Sequence, residues 1–184
     1  MQLNILFEDT QIIVCVKPAG IPTQSKQIGT PDMVSILTNY LHQNNTTKSS
    51  SKAPYLALIH RLDQPVEGLL VFAKTPFAAK ELNRQLNCNQ FQKTYQALLI
   101  KSPPFADGRL IDYLLKDSRA NLSHVVSSDT KGAKRAELSY KVMDISTTKE
   151  NTTSVEIQLY TGRHHQIRVQ FANIGCPILG DQKY

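Results

Sequence analysis

The sequence predicts an α+β fold, and three observations carry that reading. Residues 55–59 (YLALI) and 69–73 (LLVFA) are short apolar runs bounded by proline and glycine, as buried strands are. Thr30-Pro31 and Thr75-Pro76 each precede an apolar stripe at helical spacing. Residues 136–142 and 155–159 alternate apolar with polar positions and read as an antiparallel hairpin. At 184 residues the chain is long enough for a single domain, 1–184, with a substantial core.

Taken in order, residues 3–16 carry two apolar runs around Glu8 and Asp9, a strand or short hairpin that Lys17-Pro18-Ala19-Gly20 breaks with a turn. From Thr30-Pro31 a helix is expected to run to His42, with Val34, Leu37 and Leu41 on one face. Residues 43–53 have almost no apolar side chains and are expected to form a mobile surface loop. After the two central strands, Thr75-Pro76 opens a second helix with Ala79, Leu82 and Leu86 as its stripe, ending near Asn87. Residues 91–100 (FQKTYQALLI) read as a strand that carries Lys93 and Tyr95 on one face. Residues 103–108 are turn-rich, and 110–126 have no clear period. A polar loop, 146–153, joins the two strands of the late hairpin. Ile167, Phe171 and Ile174 define a last helix that stops at Gly175 and Pro177.

Composition narrows the partners. Twenty-one Lys and Arg against fifteen Asp and Glu give a net charge of +6, which favours a polyanion. Cys15, Cys88 and Cys176 are odd in number and far apart, without the paired spacings of a metal site or a disulfide framework, and are read as reduced cysteines. No metal and no cofactor is expected. No apolar run is long enough to span a bilayer, and the first residues lack the basic region and cleavage site of a signal peptide, so a cytoplasmic location without membrane partner is expected.

Residues 58–75, LIHRLDQPVEGLLVFAKT, set Asp63 in a loop between the two central strands. A carboxylate so close to core segments needs a cationic partner, since an isolated buried charge would neutralise. By itself His60-Arg61-Leu62-Asp63 reads more simply as an ion-pair cluster closing a hairpin. At the other end of the chain Arg163, His164, His165 and Arg168 crowd the expected start of the last helix, where the dipole disfavours cations and favours anions. A phosphate or the Asp63 carboxylate would account for that placement; a basic patch that tolerates the dipole, at about 0.3–1 kcal/mol per charge, accounts for it equally well.

The same residues resemble the RluA-type pseudouridine synthases. His60-Arg61-Leu62-Asp63 followed by Gly68-Leu69-Leu70-Val71-Phe72-Ala73-Lys74-Thr75 is similar to that family's catalytic motif. Glu8-Asp9, Lys17-Pro18-Ala19-Gly20, Lys93, Tyr95, Gly162-Arg163, His165-Gln166-Ile167-Arg168, Pro177-Ile178, Gly180-Asp181 and Tyr184 extend the likeness in order. The resemblance implies a mixed, mainly antiparallel sheet flanked by helices, with the active site in a central cleft. It implies Asp63 as catalytic aspartate, Tyr95 as active-site tyrosine and Arg168 as the arginine that pairs with Asp63. Arg61 would enter the RNA stack as the uridine leaves, and Lys93, Arg163 and His165 would contact RNA. The partner implied is structured RNA, ribosomal ahead of transfer RNA, with no obligate protein partner.

Three departures accompany the likeness. Val66-Glu67 stand where the family usually has Thr-Ser, and Val16 where an asparagine usually precedes Lys-Pro. Glu67 beside Asp63 would raise its pKa if both were buried, so Glu67 is expected to point outward. Family members usually continue past the position of Tyr184, which implies a C-terminally truncated catalytic domain or an uncovered sheet edge, without an appended RNA-binding domain. The competing expectation is a non-catalytic RNA-binding module that keeps the fold. A two-carboxylate glycoside hydrolase using Asp63 and Glu67 fits the basic surroundings less well.

Overall fold

Alternation and turn chemistry build the first part of the chain. In the computed structural model, which describes residues 3–27, 29–44, 53–145 (for residue 145 the backbone only) and 152–184, β1 (Asn4–Glu8) and β2 (Ile12–Lys17) pair antiparallel. Asp9 makes the turn between them, its Oδ1 accepting from the amides of Gln11 and Ile12, both at 2.7 Å. Helix α1 (Met33–Asn44) follows, then β3 (Ala57–Leu58), β4 (Gly68–Ala73) and helix α2 (Pro76–Asn87). The four strands form one sheet in the order β1-β2-β4-β3. Ile13, Cys15, Leu70 and Phe72 on its inner face pack with Met33 and Leu37 of α1. Ile59 and Ala73 pack with Ala78 and Ala79 of α2.

A second sheet is made by β5 (Lys93–Leu99), β6 (Asp107–Asp117), β7 (Leu122–Val126), β8 (Lys134–Ile145) and β9 (Thr153–Leu159), in the order β5-β9-β8-β6-β7. Helix α3 (Gln166–Asn173) covers its inner face, where Phe171 lies with Leu99, Leu138, Tyr140, Val155 and Ile157, all buried. The Tyr140 and Phe171 rings meet edge on at 5.5 Å. The described strand pairs are all antiparallel. The two sheets belong to two compact units, Met1–Phe91 and Gln92–Tyr184.

The α+β expectation and the late hairpin are met, with Leu138 opposite Leu159, Tyr140 opposite Ile157 and Val142 opposite Val155. Thr75 caps α2 as expected, its Oγ1 accepting from the Ala78 amide at 3.1 Å with Pro76 at the first position. Several boundaries differ. Helix α1 starts at Met33 because Asp32, not Thr30, makes the cap: Asp32 Oδ1 accepts from the Ser35 amide at 2.7 Å, and Ser35 Oγ from the Asp32 amide at 3.0 Å. The strand expected over 55–59 is reduced to Ala57–Leu58. Helix α3 starts at Gln166, so Arg163 and His164 precede it and His165 is its cap residue, with φ of 54°. The expected loop at 43–53 lies outside the described residues over 45–52, although Gln43 and Asn44 still belong to α1. The expected loop at 146–153 likewise lies outside them over 146–151, and Thr153 opens β9.

Candidate active site

The loop from Ile59 to Glu67 leaves β3 and returns as β4, and one backbone and several side-chain hydrogen bonds fasten it to residues 17–24 of the same unit. Thr23 Oγ1 donates to the Leu62 carbonyl at 2.8 Å and accepts from the Leu62 amide at 3.2 Å. The Gly20 amide donates to the Gln64 carbonyl at 2.8 Å, and Gln64 Nε2 returns a bond to the Gly20 carbonyl at 3.0 Å. The Val66 amide closes a turn on the Asp63 carbonyl at 3.1 Å. Asp63 is thus held on both sides, at Leu62 and at Gln64, and its side chain is half-buried. Gly68 lets the loop lie close to β4, since a Cβ there would come within 3.1 Å of Leu62 Cδ1.

One cation of this unit was not singled out from sequence. Lys17 is fully buried, and its Nζ donates to the carbonyls of Pro18 (2.9 Å), Ile21 (2.7 Å) and Gln64 (3.0 Å). All three donor positions of the ammonium are used. Burial pushes its pKa down, while the carboxylates of Asp63 and Glu67 oppose that shift. The signal was available: Ile13, Cys15 and Lys17 alternate along β2, so Lys17 falls on the buried face. Glu67 is exposed, as expected. Arg61 is exposed and donates to Gln24 Oε1 at 3.2 Å. His60 accepts from the Val71 amide at 3.4 Å and its ring lies 5.4 Å from that of Phe91.

The second unit carries the other candidates. Lys93 and Tyr95 share the inner face of β5, as strand alternation requires, and both are half-buried. Tyr95 packs against the core around Phe171. Burial lowers the pKa of Lys93, and a Cβ at Gly162 would come 3.5 Å from its Nζ, so the lysine tip lies beside the Gly162-Arg163 segment. Arg163 is exposed; its Nε donates to the Arg135 carbonyl at 2.9 Å and its amide to Gln166 Oε1 at 3.0 Å. His165 is buried, stacked on His164 at 3.7 Å between ring centroids, with Nδ1 2.8 Å from the Tyr184 hydroxyl. His164 Nδ1 and its carbonyl both meet Ser123 Oγ at 2.9 Å.

Within this unit Arg168 has a carboxylate partner that sequence reasoning did not assign. Its Nε and one terminal nitrogen reach the two oxygens of Asp181 at 2.6 and 2.7 Å, a bidentate pair with Asp181 almost wholly buried. The guanidinium also lies over the Tyr184 ring, 5.2 Å from its centroid. Burial raises the Asp181 pKa, but the bonds from Arg168 and the Lys183 amide outweigh it and leave the carboxyl below its ordinary value. The tyrosine hydroxyl accepts from the Ser123 amide at 2.7 Å, which fixes the ring that faces Arg168.

The structure therefore groups the candidates in two sets: Arg61 and Asp63 on one fastened loop, and Lys93, Tyr95, Arg163, His165 and Arg168 around the inner edge of the second sheet and the start of α3. Comparison with known proteins gives both sets a common context. The family profile described as RNA pseudouridylate synthase matches residues 11–173. An uncharacterised RNA pseudouridine synthase of Bacillus subtilis (strain 168), YhcT, is 34% identical over 183 residues, which are 100% of this chain and 58% of the relative. The dual-specificity RNA pseudouridine synthase RluA of Salmonella typhi is 32% identical over 183 residues, 99% of this chain and 77% of the relative. Among solved structures, human RNA pseudouridylate synthase domain containing 4 superposes with a TM-score of 0.75 at 28% identity, covering 98% of this chain and 68% of that one. The chain spans little more than half the length of several of the curated relatives it matches. Matched from the second strand to the end of the last helix, and sharing its fold with such domains, the chain belongs to the RluA-type RNA pseudouridylate synthase family.

Proposed function

We propose that this chain isomerises uridine to pseudouridine in structured RNA, ribosomal RNA ahead of transfer RNA, as a catalytic domain over residues 1–184 that needs no added cofactor. The observation that carries the reading is the loop of Asp63, fastened by Thr23, Gly20 and Lys17 inside a segment matched to the family throughout. A half-buried carboxylate on a rigid loop suits chemistry at a fixed point on an extruded nucleoside. Relatives bearing the name ribosomal large subunit pseudouridine synthase support the choice of RNA.

In the proposed reaction a uridine leaves its stack at a cost of a few kcal/mol, which basic and stacking side chains offset. Asp63, kept ionised by Arg168, acts at the ribose as nucleophile at C1′ or as base at C2′ while the N1–C1′ bond breaks. The uracil carries away the bonding electrons, turns, and bonds to C1′ through C5 as the Asp63–C1′ bond breaks or, on the C2′ route, as the proton returns from Asp63 to C2′. Loss of the C5 proton and protonation of N1 complete an isomerisation with no net change of composition. Tyr95 stacks on the base and assists removal of the C5 proton, a step in which a positioned base contributes about 10²–10⁴-fold. Arg61 fills the vacated stack, and Lys93, Arg163 and His165 serve RNA contact. Among the described residues no helix is long and apolar enough to cross a membrane, and we take the site of action to be cytoplasmic.

Incubation of the protein with total RNA, followed by digestion to nucleosides, tests the reading. New pseudouridine without any added cofactor is the expected result. RNA binding with no product at any salt concentration would replace the isomerase with a non-catalytic RNA-binding module.

A further inference from the structure

Residues 177–184 run between the two outermost strands of the second sheet, β5 and β7. At one end Ile178 bridges Leu99 of β5; the Ile100 amide donates to the Pro177 carbonyl at 3.0 Å and the Leu179 amide to the Leu98 carbonyl at 2.7 Å. At the other end the Tyr184 hydroxyl accepts from the Ser123 amide of β7 at 2.7 Å and lies 2.8 Å from Nδ1 of His165. The segment is therefore tied down at both ends without help from Asp181, which stands between them. The Asp181 carboxylate instead takes Nε and Nη2 of Arg168 at 2.6 and 2.7 Å, with the arginine and aspartate side chains only 13% and 4% exposed.

A buried ion pair adds little net stability, since desolvating both charges cancels much of their attraction. It orients well, because two parallel bonds fix the plane of a guanidinium. A plane held along one edge can still tilt about that edge. The Tyr184 ring, 5.2 Å from centroid to Arg168 Cζ, faces the guanidinium and opposes the tilt. The ring is held in turn by its hydroxyl and by an edge-on contact with His165 at 5.6 Å. Asp181 is fixed as firmly: its Oδ1 accepts from the Lys183 amide at 2.9 Å, and its own amide donates to the Ile178 carbonyl at 3.1 Å. We infer that Asp181 and Tyr184 are positioning residues for Arg168, fixing its guanidinium so that Nη1, the nitrogen outside the Asp181 fork, is the one through which Arg168 acts in the proposed reaction. The inference rests on the part given to Arg168 there. Neither residue touches the nucleoside; each acts through the arginine.

The test uses the full chain and a uridine-containing RNA that wild type modifies. Single-turnover formation of pseudouridine and RNA binding are measured for wild type, Asp181→Asn, Tyr184→Leu, Arg168→Lys and the double variant of Asp181→Asn with Arg168→Lys. Exchange of the Arg168 Nε–H proton with water is followed in parallel by nitrogen-edited NMR, the signal being assigned by its loss in Arg168→Lys. Asp181→Asn is expected to lower the rate at saturating RNA by about 10²-fold, as misplacing a reacting group by roughly 1 Å does, with Kd little changed. In the Arg168→Lys background the same substitution should lower the rate hardly further, since its route to the reaction is already gone. The Nε–H proton, slow to exchange in wild type, should exchange faster in Asp181→Asn and in Tyr184→Leu, and the second variant carries the test if the first does not fold. Leu41→Ala, which opens a cavity at a buried position of α1, shows what lost stability alone does and should leave the rate unchanged. Unchanged Nε–H exchange, a defect confined to Kd, multiplication of the two single losses in the double variant, or an equal rate loss in Leu41→Ala would each overturn the inference. If wild type forms no pseudouridine in any RNA, the isomerase reading falls, and Nε–H exchange alone decides whether Asp181 and Tyr184 hold Arg168.

Discussion

Replacing Lys17 by methionine removes the ammonium that fastens the candidate catalytic loop while keeping most of the side-chain volume. Its three bonds go to Pro18, Ile21 and Gln64, and the Gln64 carbonyl retains a second donor in the Gly20 amide. Two carbonyls are left to be satisfied, at about 1–3 kcal/mol each, or about 2–6 kcal/mol together. Relief of the ammonium's own desolvation returns part of this, so a net loss of about 2–4 kcal/mol is expected. Set against a typical total of about 5–15 kcal/mol, that is a large fraction. With a urea m-value of about 2 kcal/mol/M, the midpoint followed by far-UV circular dichroism should fall by about 1–2 M. The pH response supplies a second check. Burial holds the Lys17 pKa below its ordinary 10.5, so the folded chain releases this proton before the unfolded chain does. Stability then rises with pH up to about 10.5 through this group, and Lys17→Met loses that contribution. A midpoint within about 0.2 M of wild type would refute the claim that the ammonium fastens the loop.

Asp181 tests the Arg168 pair from the acid side. Its folded pKa lies below 3.8, so its contribution is present above that pH and is lost as pH falls through the folded value. Asp181→Asn should flatten that limb of the stability profile, as read by denaturant midpoints in an acid series. In the second core, Phe171→Ala removes a fully buried ring that meets Tyr140 and should cost about 3–5 kcal/mol in urea titration. Cysteine reactivity should divide by burial. Cys88 is exposed, whereas Cys15 and Cys176 are buried, with burial pushing the Cys15 thiol up to about 11 and that of Cys176 upward. A disulfide reagent should titrate one thiol rapidly in the native protein and three after denaturation.

What was legible in the sequence was local. Thr75-Pro76 opens α2 because its capping bond spans three residues, and residues 69–73 form a strand because a continuous apolar run needs no distant partner to be recognised. Thr30-Pro31 misplaced the start of α1 because Asp32 with Ser35 offers a reciprocal cap two residues later. Residues 110–126 gave no period because β6 has large side chains on both faces: Leu110 and Leu114 inward, Ile111 and Tyr113 outward. For the candidate site, Asp63, Tyr95 and Arg168 could be named from their motifs. Lys17 and Asp181 lay inside quoted motifs but received no role, since their bonds to Gln64 and Arg168 depend on backbone paths that spacing does not reveal. The pairing of Glu137 on β8 with Arg109 on β6 left even less trace, being assembled across neighbouring strands.

The central claim is that the Asp63 carboxylate acts on the nucleoside, and the most direct measurement follows the hydrogen that isomerisation must release. RNA carrying tritium at C5 of uridine is incubated with wild type and with Asp63→Asn, and label appearing in water is counted against label retained. The account predicts release by wild type in step with pseudouridine formed, and none above background from Asp63→Asn although that variant still binds the RNA. Release by Asp63→Asn at the wild-type rate would contradict it.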